Sequence, residues 1–151
     1  MKALFIEKMF ELTKKPYQKL IKKNQPWEVS VSELIFHDEE TLGFHLGCFL
    51  LKYDFEMQPQ VEDHDVFHVL TNTGISVPEE IGMQYFLLGN GKRSLYLFIS
   101  IMVGTVFYPF RIPVFYSFYK RGRQSHRLYD LDFFKMLGQP IKDIQYSLNI
   151  Q

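Results

Sequence analysis

The sequence predicts an all-α protein: a single-domain compact bundle of about six to eight helices with an apolar ligand cavity. Three observations carry that expectation. Apolar residues recur at helical rather than alternating spacing, as in Leu42, Leu46, Phe49 and Tyr53. Helix-start chemistry is explicit at Ser76-Val77-Pro78-Glu79, a capping box with proline in the first turn. Aromatic residues make up 17% of the chain, with 15 Phe and 9 Tyr. That is enough to wall a slot for a long apolar ligand, or simply to fill a small helical core.

A chain of 151 residues that is 46% hydrophobic can bury one core, so residues 1–151 read as one domain. Seventeen basic and seventeen acidic residues cancel, leaving no global field to attract nucleic acid. The lone cysteine, Cys48, excludes an internal disulfide, fits a reducing compartment and reads as a small core residue. Lys2 and Glu7 come too early for the apolar stretch of a signal peptide, so a cytoplasmic chain is expected.

Taken in order, residues 3–23 read as helical, with a break at Pro16. Lys14, Lys15, Lys19, Lys22 and Lys23 then form either a solvated face or a contact for anionic lipid. Residues 24–36 read as a loop or short extended segment around Pro26 and Trp27. Asp38 is placed to cap the next helix, on which Gly43 and Gly47 allow close packing and His45 is not a ligand.

Gln58-Pro59 is expected to open a helix with Phe67 and Leu70 on its buried side. Gly74 should supply the next tight turn, leading to a helix over residues 77–88 with Ile81, Tyr85 and Leu88 inward. Residues 95–108 are the most apolar run. They fall short of the roughly 20 residues that span a bilayer, which predicts a buried central helix.

Pro109 and Pro113 interrupt the segment after that helix. Residues 114–119 could wall a cavity, with Lys120, Arg121, Arg123 and Arg127 clustered just after it, as a solvated loop or as a seat for a carboxylate or phosphate. The last helix begins at Pro140 and carries Ile141, Ile144 and Leu148. There is no internal repeat.

The chemistry concentrates in Glu62-Asp63-His64-Asp65-Val66-Phe67-His68 and in Glu80. On a helix, His64 and His68 lie about 40° apart in projection and Asp65 about 100° round from His64. Glu79 is committed to its own helix cap, which leaves Glu80 free to reach back to the histidines. Two imidazoles and two carboxylates suit zinc, iron, manganese or cobalt better than calcium.

This pattern, His-Asp-x-x-His-(x)11-Glu, resembles that of the coenzyme Q biosynthesis protein four family. Supporting segments are Thr41-Leu42-Gly43, Phe86-Leu87-Leu88-Gly89, Tyr119-Lys120-Arg121-Gly122-Arg123 and Gly138-Gln139-Pro140-Ile141. The resemblance covers roughly residues 40–150 and is weakest over residues 1–37. It implies zinc on His64, Asp65, His68 and Glu80. It also implies a polyprenylated quinone precursor as ligand, with Tyr116, Tyr119, Arg121 and Arg123 beside it, and oxidative decarboxylation of the ring carboxylate of a prenylated hydroxybenzoate-type compound. Peripheral attachment at the inner face of a membrane, and a homodimer or a complex of biosynthetic enzymes, are implied with it.

Two rival functions stand beside this one. In a metal-dependent phosphohydrolase of the His…His-Asp…Asp type the ligands would be His37, His64, Asp65 and Asp130 or Asp132, leaving His68 and Glu80 unexplained. In a non-catalytic lipid-binding scaffold, the same four ligands would form a closed structural zinc site.

Overall fold

The computed structural model describes residues 27–53 and 63–150. The helical segment expected over residues 3–23 and the helix opening at Gln58-Pro59 lie outside them. Among the described residues there are seven α-helices and no strands: α1 (Val31–Ile35), α2 (Leu42–Lys52), α3 (Asp63–Thr71), α4 (Val77–Gly89), α5 (Leu95–Phe107), α6 (Ile112–Gln124) and α7 (Ile141–Ser147).

The segment expected as loop contains α1, because Ser30 and Glu33 form a capping box that starts a helix there. Asp38 is not the cap of α2. Thr41 is, its hydroxyl accepting from the Phe44 N–H while donating to the Asp38 carbonyl. Gly43 and Gly47 do admit close neighbours: a Cβ on Gly43 would meet the His37 ring at 2.7 Å, and one on Gly47 would meet Leu34 and Ile35 of α1.

The buried centre is α4 rather than residues 95–108. Ile81, Gly82, Met83, Gln84, Phe86 and Leu87 of α4 are all buried, whereas α5 buries only Leu97, Ser100 and Gly104. Both α5 and α6 pack on α4. A Cβ on Gly104 would lie 2.7 Å from Ile81, so the missing side chain is what lets α5 settle. The C-terminal segment returns to the body, as expected: the N–H groups of Leu42 and Gly43 donate to the carbonyls of Gln139 and Leu137, and Ile141, Ile144 and Leu148 are buried.

Cys48 is exposed, contrary to its expected place in the core, because it lies on the side of α2 away from buried Leu42, Leu46 and Leu50. The aromatic run after Pro113 buries only Phe115 completely, while Tyr116 is exposed. No single described helix is long and apolar enough to cross a membrane.

Asn90 locks the end of α4 to the segment after α6. Its Nδ2 donates to the His126 carbonyl at 2.9 Å and reaches the Gly122 carbonyl at 3.3 Å, while its Oδ1 accepts from the Leu128 N–H at 2.9 Å. Asn90→Ala therefore strands a buried N–H and carbonyls together. We expect a loss of about 2–3 kcal/mol, read as a lower urea midpoint with unchanged slope.

Candidate metal centre

The cluster is built at the junction of α3 and α4. Helical spacing puts His64 and His68 one turn apart on α3, with Phe67 and Leu70 anchoring the helix in the core at 2% and 1% exposure. Residues 72–76 then reverse the chain. The left-handed residue in that connection is Asn72, with φ 52°, not Gly74. Gly74 serves differently: its N–H donates to Glu79 Oε1 at 3.2 Å, and a Cβ there would collide with that carboxylate.

Glu79 is tied down as expected. The Ser76 hydroxyl and N–H donate to it, and these bonds, the hydroxyl first, hold its carboxyl below the usual range. Glu80, one residue on, is thereby turned toward α3.

There His64, His68 and Glu80 bring one ligand atom each to within 4.8 Å of one another. Nε2 of His64 lies 3.0 Å from Nε2 of His68 and 3.1 Å from Glu80 Oε2, and His68 Nε2 lies 3.3 Å from Glu80 Oε1. Bonds of about 2.0–2.2 Å to a tetrahedral zinc would separate donors by about 3.3–3.6 Å, so the 3.0 Å between the two imidazole nitrogens needs to open by only a few tenths of an ångström, while the two carboxylate contacts end on different oxygens of Glu80.

Proton accounting supports a cation in the middle. Nδ1–H of His68 donates to the Thr73 carbonyl at 3.2 Å, which in the neutral ring leaves the Nε2 lone pair facing the cluster. That lone pair then confronts Glu80 Oε1, acceptor against acceptor. One hydrogen on His64 Nε2 cannot serve both His68 and the carboxylate; a divalent cation serves all three. Burial pushes the Glu80 carboxyl upward; with the two rings protonated instead, their hydrogen bonds and charge outweigh it and hold the group well below the ordinary carboxylate range, and a bound cation would take the place of those protons.

Asp65 is half-buried and does not join the three-residue cluster. Two supports are invisible in the motif. Thr73 orients His68 from the loop, and Phe49 of α2 stacks on the His68 ring at 5.7 Å and 15°. No local spacing announces either, since one is a backbone carbonyl and the other lies 19 residues upstream of His68 on a different helix. His68 also lines a cavity of about 400 Å³ with His45, Phe49, Lys52, Tyr53, Val69, Thr73 and Ile141.

The remaining sequence candidates are dispersed. Arg121 is half-buried, donates to the Thr71 carbonyl at 3.1 Å and borders a second cavity with Asn72 and Gln145. Arg123 and Tyr116 are exposed, and Tyr119 stacks on Tyr116 at 6.0 Å. The phosphohydrolase ligand set is not assembled: His37 sits over Gly43, Asp130 pairs with Arg127 and Asp132 with Lys135.

Fold and site together define an all-α bundle with a His–His–Glu group suited to holding a metal ion. The sequence matches no family profile and no curated protein. Its fold is that of a crystal structure from Nostoc punctiforme described as a "Putative ubiquinone biosynthesis protein", with a TM-score of 0.69 and 16% identity over 93% of this chain and 81% of that one.

Proposed function

We propose that the chain binds a polyprenylated quinone precursor beside a divalent metal ion, zinc by its donor set, in the assembly of a ubiquinone-type quinone. The observation that carries this reading is the convergence of His64, His68 and Glu80 at 3.0–3.3 Å. Its setting is a fold shared with the Nostoc protein whose description names that biosynthesis.

Two imidazoles and a carboxylate are the ligand set of catalytic zinc sites that keep one position open. An ion so held supplies Lewis acidity toward a phenolic or carboxylate oxygen. His68 contributes a lone pair oriented by Thr73, and Glu80 contributes the negative charge. Removal of a ring carboxylate held at such an ion is the reaction class proposed; Arg121 borders a separate cavity and is given no part in it.

A closed structural zinc is the second reading. It is favoured by the depth of His68, which is 2% exposed.

Mass spectrometry of the natively purified chain and its solvent extract tests both. We expect a divalent metal together with a prenylated phenolic acid. Metal without lipid favours the structural reading, and finding neither overturns the proposal.

A further inference from the structure

The outer face of α5 is inverted relative to a helix that meets water. Leu95, Phe98, Ile99, Met102 and Val106 fall within an arc of about 100° on the helix, and all five are exposed: Leu95 at 69%, Met102 at 68% and Val106 at 75%. The opposite face, which packs inward, carries Ser100 and Gly104 beside Leu97. A helix that turns its small and polar residues to the core and its large apolar ones outward is built for an apolar medium.

The feature continues past the end of α5. The chain turns by 106° at Tyr108-Pro109, and Phe110 stands at the corner, 95% exposed. On α6, Ile112, Tyr116, Lys120 and Arg123 share an arc of about 80°, so the exposed stripe passes from apolar to basic over about 12 Å of helix.

Charge identifies what covers this face. Between Glu80 and Asp130 the sequence contains no acidic residue and seven basic ones, within a chain whose net charge is zero. Among the described residues no ion pair engages Arg111, Lys120 or Arg123, and all three are exposed. A second copy of the same face would set cation against cation. An anionic lipid surface complements both halves, with acyl chains for the apolar corner and headgroup phosphates for the basic end. Each helix has 13 residues, about 20 Å of length, which suits lying in one leaflet rather than crossing two.

We propose that the α5–α6 corner is a monotopic docking surface for an anionic bilayer, with Phe110 and the Leu95–Val106 stripe buried among acyl chains and Lys120 and Arg123 at the phosphates. This rests on the surface alone. It extends the proposed prenyl-lipid role without needing the metal cluster.

Flotation of the full-length protein with vesicles tests it. Wild type should bind vesicles of phosphatidylglycerol mixed with phosphatidylcholine, and binding should weaken as salt is raised. The double variant Val106→Ser/Phe110→Ser should bind about tenfold or more weakly, as should Lys120→Glu/Arg123→Glu. Tyr146→Ser, an exposed aromatic on α7, should behave as wild type.

Circular dichroism and the melting temperature of each variant establish folding, which these exposed positions should not alter. Equal binding to pure phosphatidylcholine, no binding by wild type, or binding that survives the double variant would each overturn the proposal. So would sedimentation showing that the apolar face is occupied in a dimer that Val106→Ser/Phe110→Ser dissociates. Metal content measured on the same samples keeps this result separate from the fate of the His–His–Glu reading.

Discussion

Glu80→Gln and His68→Ala should each abolish stoichiometric metal binding, against an expected uptake of about one equivalent of zinc in the wild type. The expected loss exceeds about 100-fold in affinity, because removing a ligand does more than disturbing a group that orients one. The two variants act from opposite sides of the cluster. Glutamine keeps the shape of Glu80 but removes the charge that offsets the cation, whereas alanine at 68 removes the lone pair oriented by the Thr73 carbonyl.

A stability readout accompanies the metal assay. At metal concentrations about 1,000 times the dissociation constant, binding stabilises the folded state by about 4 kcal/mol, which corresponds to about 10 °C in a domain of this size. Chelation should therefore lower the melting temperature of wild type and leave Glu80→Gln unmoved. A Glu80→Gln protein that retains its zinc, or a wild type that takes up none from excess zinc, removes the basis of the metal reading.

Gly122→Ala should be the most destabilising single methyl in the described chain. A Cβ at 122 would overlap the Phe86 carbonyl oxygen and come within 3.1 Å of the Asn90 nitrogen, and one at Gly89 would overlap the Tyr119 carbonyl oxygen. At this crossing α4 and α6 meet backbone to backbone, so no side chain can swing aside to make room. The helices must separate, which loosens the packing of Phe86 and the Asn90 hydrogen bonds together.

We expect a cost above about 3 kcal/mol, at the upper end for overpacking, and failure to accumulate as folded protein if stability is ordinary. Gly138→Ala is the matched control, with nothing within 4 Å of its Cβ, and should stay within about 0.5 kcal/mol of wild type. Equal denaturation midpoints for Gly122→Ala and wild type would mean that the two helices do not touch there. The crossing matters to the site as well, since α4 carries Glu80.

Much of the fold and the cluster is legible in the sequence, for identifiable reasons. The capping box at Ser76 and the helical spacing of His64 and His68 are local properties, decided by bonds within a turn or two of chain. So is the division of labour between Glu79 and Glu80, because adjacent helix residues point about 100° apart. Phe67, Leu70, Ile141 and Ile144 are buried as their spacing predicts.

The departures share a cause. Hydrophobicity alone sends residues 95–108 to the centre, and residue type alone sends Cys48 to the core, but composition says only that a segment avoids water. It does not say whether protein or another apolar phase covers it. The same limit applies to Gly74, whose role depends on where the Glu79 carboxylate lies and not on its own φ.

The sequence by itself therefore determined the helical class, the caps of α4 and the pairing of His64 with His68, because each depends on contacts within one or two helical turns. Only the tertiary structure decided that α4 is the buried axis, that His64, His68 and Glu80 converge as a three-residue cluster, and that Thr73 and Phe49 orient His68. It also turned the most apolar helix outward beside a basic flank. Those outcomes depend on which faces meet across the bundle, and side-chain spacing along one helix carries no information about its partner.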